Sequence, residues 1–446
     1  MKTKIMKYVS FIVLRLSLSC EVKADGDFIY TGSMNTIRYN HMATLLPDGK
    51  VLVTGGRNNN SSSVWASAEL YVPAAGTWAT TSSMSATRYF HTATLLANGK
   101  VLVAGGSHAL SGQHSSAELY DPATGTWAAT GAMTDARTAH QAILLSNGKV
   151  LVTGGAQGSA ANSALSSAEL YDPTTGMWTL IKSMSTARYA HTVTLLNNGK
   201  VLVTAGQNVN LSLSSTELYD SLTGMWTPSG SLVGGSLAGA RSYHTTTLLP
   251  NGKVLVTGGY NNNSVGTPLS TAQLYDPATG IWTAINSMST ARYLHTPTLL
   301  PNGKVLISGG SVTDSVSSAE LYDWTDGATG TWAATGGMNE KRREHTATLL
   351  PNGKVLVTGG WRVSNTVSST AELYNPSLKI GLIKAIKPFF DGLSVSANYQ
   401  LQLSANATTF TNYGAAFTAT NSIMIYPQYF DVENYDKLYF RLKVSP

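Results

Sequence analysis

Arg88-Tyr-Phe-His91-Thr-Ala-Thr-Leu-Leu-Ala-Asn98-Gly99-Lys100-Val-Leu-Val-Ala-Gly105-Gly106 opens a unit. After a variable loop it continues as Glu118-Leu-Tyr120-Asp-Pro-Ala-Thr-Gly125-Thr-Trp127 and reaches Met133. The histidine recurs at His41, His91, His140, His191, His244, His295 and His345, which gives seven units spaced 49–53 residues apart. Self-similarity at a fixed period of this size marks a repeat architecture in which each unit buries its apolar faces against its neighbours.

Each unit reads as four strands. Strand A is the His-Thr-Ala-Thr-Leu-Leu segment. The Asn-Gly that follows, Asp48-Gly49 in the first copy, suits the positive φ angles of a two-residue type I′ hairpin. Strand B, Lys-Val-Leu-Val, is continuously apolar and is predicted to be buried on both faces. A double glycine ends it at 55–56, 105–106, 154–155, 258–259, 309–310 and 359–360, where a side chain would meet a neighbouring backbone. The fourth copy has Ala205-Gly206 instead. Strand C carries Tyr71, Tyr120, Tyr171, Tyr219, Tyr275, Tyr322 or Tyr374, and strand D carries Trp78, Trp127, Trp178, Trp226, Trp282 or Trp332. These residues resemble the kelch repeat over about residues 27–376. The resemblance implies an all-β fold, a seven-bladed kelch-type β-propeller. It implies little about function, because many functions share the architecture.

The seventh unit has no Trp; after Tyr374 the chain runs Asn-Pro-Ser-Leu-Lys-Ile. The missing piece stands at the other end. Phe28 precedes Met34 by six residues and Arg38 by ten, just as Trp127 precedes Met133 and Arg137. Residues 27–32 are therefore predicted to be the N-terminal strand closing the last blade, paired with Glu372–Asn375. Such closure leaves no long unpaired edge in the ring.

Charged residues are 12% of the 446, about half the usual share, and there are 42 glycines. That excludes a coiled coil, a charged disordered chain and a nucleic-acid-binding tail. The net charge is +6, but Lys2, Lys4, Lys7, Arg15 and Lys23 against Glu21 leave only +2 after residue 24. The pI of 9.1 is thus no sign of an anionic polymer as partner. Residues 1–24 have the parts of a secretory signal: a positive start, an apolar run from Tyr8 to Leu18 interrupted by Arg15, and Val22 and Ala24 at positions −3 and −1. A secreted, periplasmic or cell-surface location is expected. Cys20 leaves lipid attachment as an alternative, although Ser17 stands where a lipid box prefers Leu. No other stretch approaches the roughly 20 apolar residues of a transmembrane segment. Cys20 is the only cysteine, so the mature chain is expected to have no disulfide, no Cys-ligated zinc and no Cys nucleophile.

The expected organisation is a signal peptide at 1–24, the propeller at 25–376, a linker at 377–390 and a small C-terminal β-module at 391–446. Lys379, Lys384, Lys387 and Pro388 mark the linker. Tyr399-Gln-Leu-Gln-Leu, Ser422-Ile-Met-Ile-Tyr and Lys437-Leu-Tyr-Phe-Arg-Leu-Lys-Val alternate as strands do. Tyr399 to Leu442 resembles a small β-module found at the ends of secreted bacterial proteins. Asp431, Glu433, Asn434 and Asp436 lack the Gly and distal Glu of a calcium loop and read as a solvated turn.

A residue present in every blade serves every blade, so function should show as a break in the pattern. Arg38, Arg88, Arg137, Arg188, Arg241, Arg292 and Arg342 all lie three before the His. Glu69, Glu118, Glu169, Glu217, Glu320 and Glu372 precede Leu-Tyr, with Gln273 in the fifth copy. These read as structural ion pairs, since pairing is the condition for burying such charges. The repeated His reads as structural too, bonded through one ring nitrogen. The kelch resemblance brings in copper-radical oxidases, whose cofactor needs a cysteine crosslinked to a tyrosine. Asp121 to Gly125 spans four residues rather than the two of a sialidase aspartate box, and reads as a β-turn. The non-repeated acids Asp135, Asp314, Asp326, Glu340 and Glu344 read as solvated loop residues. No catalytic residue, metal or cofactor is predicted.

Loop lengths point to one face of the ring. From His to the first glycine position is always 14, whereas the second glycine to the Glu or Gln spans 10 to 14. Trp226 to Arg241 is 15 where the other copies have 10. The B–C and D–A loops open on the same side of a propeller, and variable loops on a rigid scaffold carry binding residues. That face is expected to bind through Arg57, Trp65, His108, His114, Tyr260, Trp361 and Arg362. His108 and His114 alone are too few for a tight metal site. The expected function is a secreted, monomeric, non-catalytic binding scaffold for a glycan or protein ligand, with no nucleic acid as partner. The alternative is a secreted carbohydrate-active enzyme, such as a sugar epimerase or lyase-like propeller.

Overall fold

A computed structural model describes residues 26–376 apart from 60–62, 109–111, 159–162, 210, 235–238, 264–265 and 327–328, together with short strand segments between 385 and 444. Seven four-stranded antiparallel sheets form the blades of the propeller. In the second blade strand A is Thr92–Leu95, B is Val101–Ala104, C is Ala117–Asp121 and D is Thr126–Thr130, hydrogen-bonded in that order. Strand B is buried on both faces, as its apolar run requires. The core lies between blades: Leu102, Ala104 and Met133 pack with Val150, Val152 and Tyr171 of the third blade. Burying each Val or Leu this way stabilises by roughly 1.5–3 kcal/mol.

The A–B turns differ from the expected two-residue form. Leu96 N–H donates to the Lys100 carbonyl at 2.8 Å and Gly99 N–H to the Leu96 carbonyl at 2.9 Å. Only Gly99 has positive φ, +81°, while Asn98 uses its Oδ1 to accept the Lys100 N–H at 3.1 Å. This is a three-residue loop closed by a left-handed glycine, the next commonest hairpin solution. The asparagine supplies a hydrogen bond rather than a φ angle.

The double glycine is an inter-blade joint. A Cβ on Gly105 would lie 2.6 Å from His140 Cε1 and 2.7 Å from the Arg137 carbonyl, both in the next blade. A Cβ on Gly106 would lie 2.8 Å from the Tyr89 carbonyl of its own blade. The space is needed because Gly106 N–H donates to the Arg137 carbonyl at 2.9 Å, a bond repeated around the ring to Gly360 and Arg38. Strand-C and strand-D aromatics brace the outer rim. Tyr120 Oη bonds Thr81 Oγ1 at 2.8 Å, and Trp127 Nε1–H donates to the Ser82 carbonyl at 2.8 Å, both in the preceding blade.

Closure is as the sequence predicts. Asp27–Thr31 pairs antiparallel with Ala371–Asn375 in the register Phe28↔Tyr374. Phe28 stands where other blades have Trp, with its ring 4.9 Å from Tyr374, and it is buried. The N-terminal strand also receives the first blade: Trp78 Nε1–H donates to the Gly32 carbonyl at 2.7 Å.

Six blades carry the expected ion pair. Arg38–Glu69, Arg88–Glu118, Arg137–Glu169, Arg188–Glu217, Arg292–Glu320 and Arg342–Glu372 are 2.6–3.1 Å apart, and the guanidinium side chains are fully buried. The fifth blade departs. Arg241 has no carboxylate within salt-bridge distance among the described residues; it donates to the carbonyls of Gly239, Gly258 and Thr271. Burial pulls its pKa down to about 10. Gln273 turns instead to Val233, accepting its N–H at 2.8 Å and donating to its carbonyl at 3.0 Å.

Chain contacts divide the protein into Met1–Ser377 and Leu378–Pro446. In the second unit Asn398–Ser404 pairs antiparallel with Tyr439–Val444, and Phe389–Phe390 pairs with Met424–Ile425. The predicted signal peptide, the linker residues Lys379, Lys384, Lys387 and Pro388, and Glu433, Asn434 and Asp436 lie outside the described residues.

Two stability tests follow from this frame. Deleting residues 26–33 removes the closing strand and its bonds to both flanking blades, so the whole propeller should melt at lower temperature in one cooperative step. An unchanged melting temperature would contradict the closure. Glu118→Ala strands the fully buried Arg88 and should cost about 3–5 kcal/mol in denaturant unfolding. Removing Arg88 as well should recover part of that loss.

Candidate functional site

The residue before each repeated His sits in the left-handed region: Asn40, Phe90, Ala139, Ala190, Tyr243, Leu294 and Glu344 have φ of 49–55°. Seven non-glycine residues pay roughly 1 kcal/mol or more each for that conformation. The compensation is a closed circle of main-chain bonds. Phe90 N–H donates to the Asn40 carbonyl, Ala139 to Phe90, and so on to Glu344 N–H on Leu294 and Asn40 N–H on Glu344, all at 3.1–3.3 Å. This circle lies at the D–A end of the strands nearest the axis. A cavity of about 480 Å³ runs from it along the first residues of strand A, lined by Asn40, Phe90, Leu294 and Glu344 among others.

The repeated histidines lie next in line and are structural. His91 Nε2 bonds Thr54 Oγ1 at 2.9 Å and His140 Nε2 bonds Thr92 Oγ1 at 3.0 Å, each reaching the preceding blade. All seven Nδ1 atoms are buried without a partner. Burial first, and the neighbouring arginines second, pull the pKa of His91 and His345 down to about 3.

In each blade a bridge ties the residue two before the His to the one after the double glycine, as in Tyr39↔Arg57, Tyr89↔Ser107 and Arg343↔Trp361. The D–A and B–C loops therefore share one face. Its chemistry is uneven. At the three positions flanking this bridge the third blade has Thr138, Ala139 and Ala156. The seventh, first and second blades contribute a ladder of rings and guanidinium groups. Arg343 lies 5.4 Å from the Trp361 ring, and Trp361 packs edge-on to Tyr39 at 4.7 Å. Arg57 lies over Tyr39 at 4.8 Å and over Tyr89 at 4.3 Å. Burial, against the opposing pull of Arg57, pushes the Tyr39 hydroxyl up to about 12. Burial likewise raises the pKa of Glu344, while Arg343, Arg57 and Asn40 pull it back.

Of the residues expected to bind, Arg57 and Trp361 meet in this ladder through Tyr39. Arg362 is adjacent, its Nε 3.5 Å from Glu340. Tyr260 sits on the fifth blade with its ring 5.0 Å from Tyr293. His108 and His114 have their rings 4.8 Å apart on the second blade's B–C loop, and His114 Nε2 bonds the Thr87 carbonyl. Trp65 braces its own blade, donating to the Ile37 carbonyl at 3.0 Å. The reading of the sequence passed over Tyr39, Tyr89, Phe90 and Arg343 and took Glu344 for a solvated loop residue; it is half-buried and lines the axial cavity. All five stand between the repeated Arg and His. The signal was there, because those two positions are the variable ones inside an otherwise constant block.

The kelch-motif family model matches residues 88–134, 137–185 and 241–289. No curated protein matches the chain. Among solved structures, a fungal alcohol oxidase of the AA5 family in complex with copper is similar at a TM-score of 0.63 with 17% identity. The match covers 85% of this chain and 86% of that one. YjhT is similar at 0.53 with 15% identity, over 69% of this chain and 99% of its own. At these identities the likeness is one of fold.

The histidine ring has a pH signature. A His held neutral when folded but free to protonate near pH 6.5 when unfolded contributes stability that is complete above that pH. The contribution is lost as the pH falls towards the folded value, by about 1.4 kcal/mol per pH unit for each residue. The melting temperature should therefore drop steeply between pH 6.5 and 5, before the carboxylates titrate. A flat profile over that window would contradict the buried neutral ring.

Proposed function

We propose that this protein is a secreted, non-catalytic scaffold that binds a glycan or protein ligand on the face made by its B–C and D–A loops. The observation that carries the reading is the Arg343–Trp361–Tyr39–Arg57–Tyr89 ladder. It concentrates on three adjacent blades what the repeat otherwise spreads evenly, and it uses residue types that anchor interfaces. The opposite turns are uniform and carry exposed pairs such as Lys100–Asp121.

A second reading, a carbohydrate-active enzyme, is favoured by one group. Glu344 is a carboxyl whose pKa burial raises, as a general acid requires. Release of reducing sugar or conversion of a chromogenic glycoside would identify that activity. Among the described residues no three His, Cys, Asp or Glu side chains gather as metal ligands. Cys20 is the sole cysteine of the chain.

A screen of glycans and extracellular-matrix proteins against the mature chain supplies the ligand. Trp361→Ala should then weaken binding about ten-fold or more, the equivalent of roughly 1.4 kcal/mol. Lys100→Ala, on the uniform turns, should leave it unchanged. The reverse outcome would place function on the other face.

A further inference from the structure

The ladder contains one cation, Arg57, with no carboxylate within salt-bridge distance among the described residues; the Glu344 carboxyl feels its charge from further off. In the propeller, three described arginines stand outside the repeated position. Arg343 reaches Asp314 at 3.8 Å and Arg362 reaches Glu340 at 3.5 Å. Arg57 reaches no carboxylate among the described residues, and its Nε is buried without a hydrogen-bond partner. Two tyrosine rings flank its guanidinium, with centroids 4.8 and 4.3 Å from the central carbon, and so confine the fork before any ligand arrives. A planar, pre-oriented guanidinium recognises a carboxylate through two parallel hydrogen bonds.

Its surroundings add a second and a third polar group. Asn40 is buried and lines the axial cavity, and its side-chain amide faces the Glu344 carboxyl. The Glu344 carboxyl lines the same cavity. Phe90, also in that lining, lies 5.8 Å from the Arg57 guanidinium and gives the corner an apolar wall. At about 480 Å³ the cavity is within the roughly 300–1,000 Å³ of small-molecule sites.

Resting on the binding reading above, we propose that the Arg57–Asn40–Glu344 corner binds a carboxylate-bearing sugar, of the uronic-acid type, at the mouth of the axial cavity. The ligand carboxylate lies on the Arg57 fork. Its hydroxyls donate to Glu344 and accept from Asn40 Nδ2, and its apolar ring face lies against Phe90. One sugar ring presents all three functions within a few ångströms. An acidic peptide side chain answers Arg57 but offers no hydroxyl to Glu344.

The test uses the mature chain in calorimetric titrations with oligogalacturonate, oligoglucuronate and oligomannuronate, their methyl esters, and poly-glutamate. At least one free acid should bind, and its methyl ester should bind ten-fold or more weakly. Arg57→Met should abolish that preference, leaving acid and ester equal. Arg57→Lys, which keeps the charge without the fork, should retain part of it. If no uronate binds, or if the ester matches the acid on the unaltered protein, the proposal falls. That comparison needs no variant, so misfolding of Arg57→Met cannot rescue the proposal. Arg57-dependent binding of poly-glutamate alone would assign the corner to acidic peptides instead. Binding of a neutral glycan that Trp361→Ala weakens would leave the scaffold reading standing while this one fails.

Discussion

A buried guanidinium paired with a buried carboxylate organises this molecule. In the first blade, Arg38 Nη2 meets Glu69 at 2.7 Å while Nη1 donates to the carbonyls of Gly55 and Ser67. Glu69 in turn accepts the backbone N–H groups of Asn35 and Thr36. One ion pair therefore pins the D–A loop, the end of strand B and the start of strand C together. Both charges are expensive to desolvate, and only this full set of partners makes them tolerable. The loops that carry the candidate site are thus held by charges beneath them rather than by their own packing. Where the carboxylate is absent, in the fifth blade, the D–A loop is longer and Gln273 fastens it by a two-way amide contact with Val233.

The circle of hydrogen bonds around the axis separates two duties. It is made by the main chain, so it accepts any side chain that tolerates the left-handed conformation. Asn, Phe, Ala, Tyr, Leu and Glu all occupy it. Exact repetition is needed one residue later, where His must reach a Thr of the preceding blade, and three residues before that, where Arg must meet its Glu. Between these fixed points lie two positions on which the scaffold places no chemical demand. That freedom lets Tyr39, Tyr89 and Glu344 gather on one side of a seven-fold frame, where Arg57, just after the first blade's double glycine, bridges to Tyr39.

The repeat made most of the fold legible. Period, double glycines, apolar strand B and the orphan strand at residues 27–32 each have one physical reading, and each is realised. The turn type was misread because Asn-Gly supports two hairpin geometries that differ only in where the positive φ falls. The site was half legible. Arg57 and Trp361 stood out as residues that no other blade shares at that position. Tyr39, Tyr89 and Phe90 did not, because a Tyr-x-His or x-Phe-His block looks like part of the repeat. Trp65 and His114 are unusual residues whose side chains reach across to the D–A loops of their own blades, a contact that sequence spacing does not disclose.

The closing strand has a consequence for how the chain is made. Asp27 and Asn375 are register partners, yet the ribosome produces one near the start of the propeller and the other at its end. Until strand C of the last blade emerges, Phe28 has no Tyr374 to pack on, and every earlier blade assembles beside an open gap. Contacts so distant in sequence are slow to form, because the loop they close is entropically costly. The six interior blades are built from strands close in sequence, whereas the pairing that closes the ring joins residues 348 positions apart. Synthesis and closure are therefore separate stages, and between them the chain presents two unsatisfied strand edges with matching register, one at each end, that recognise each other and, at high concentration, the ends of a second chain.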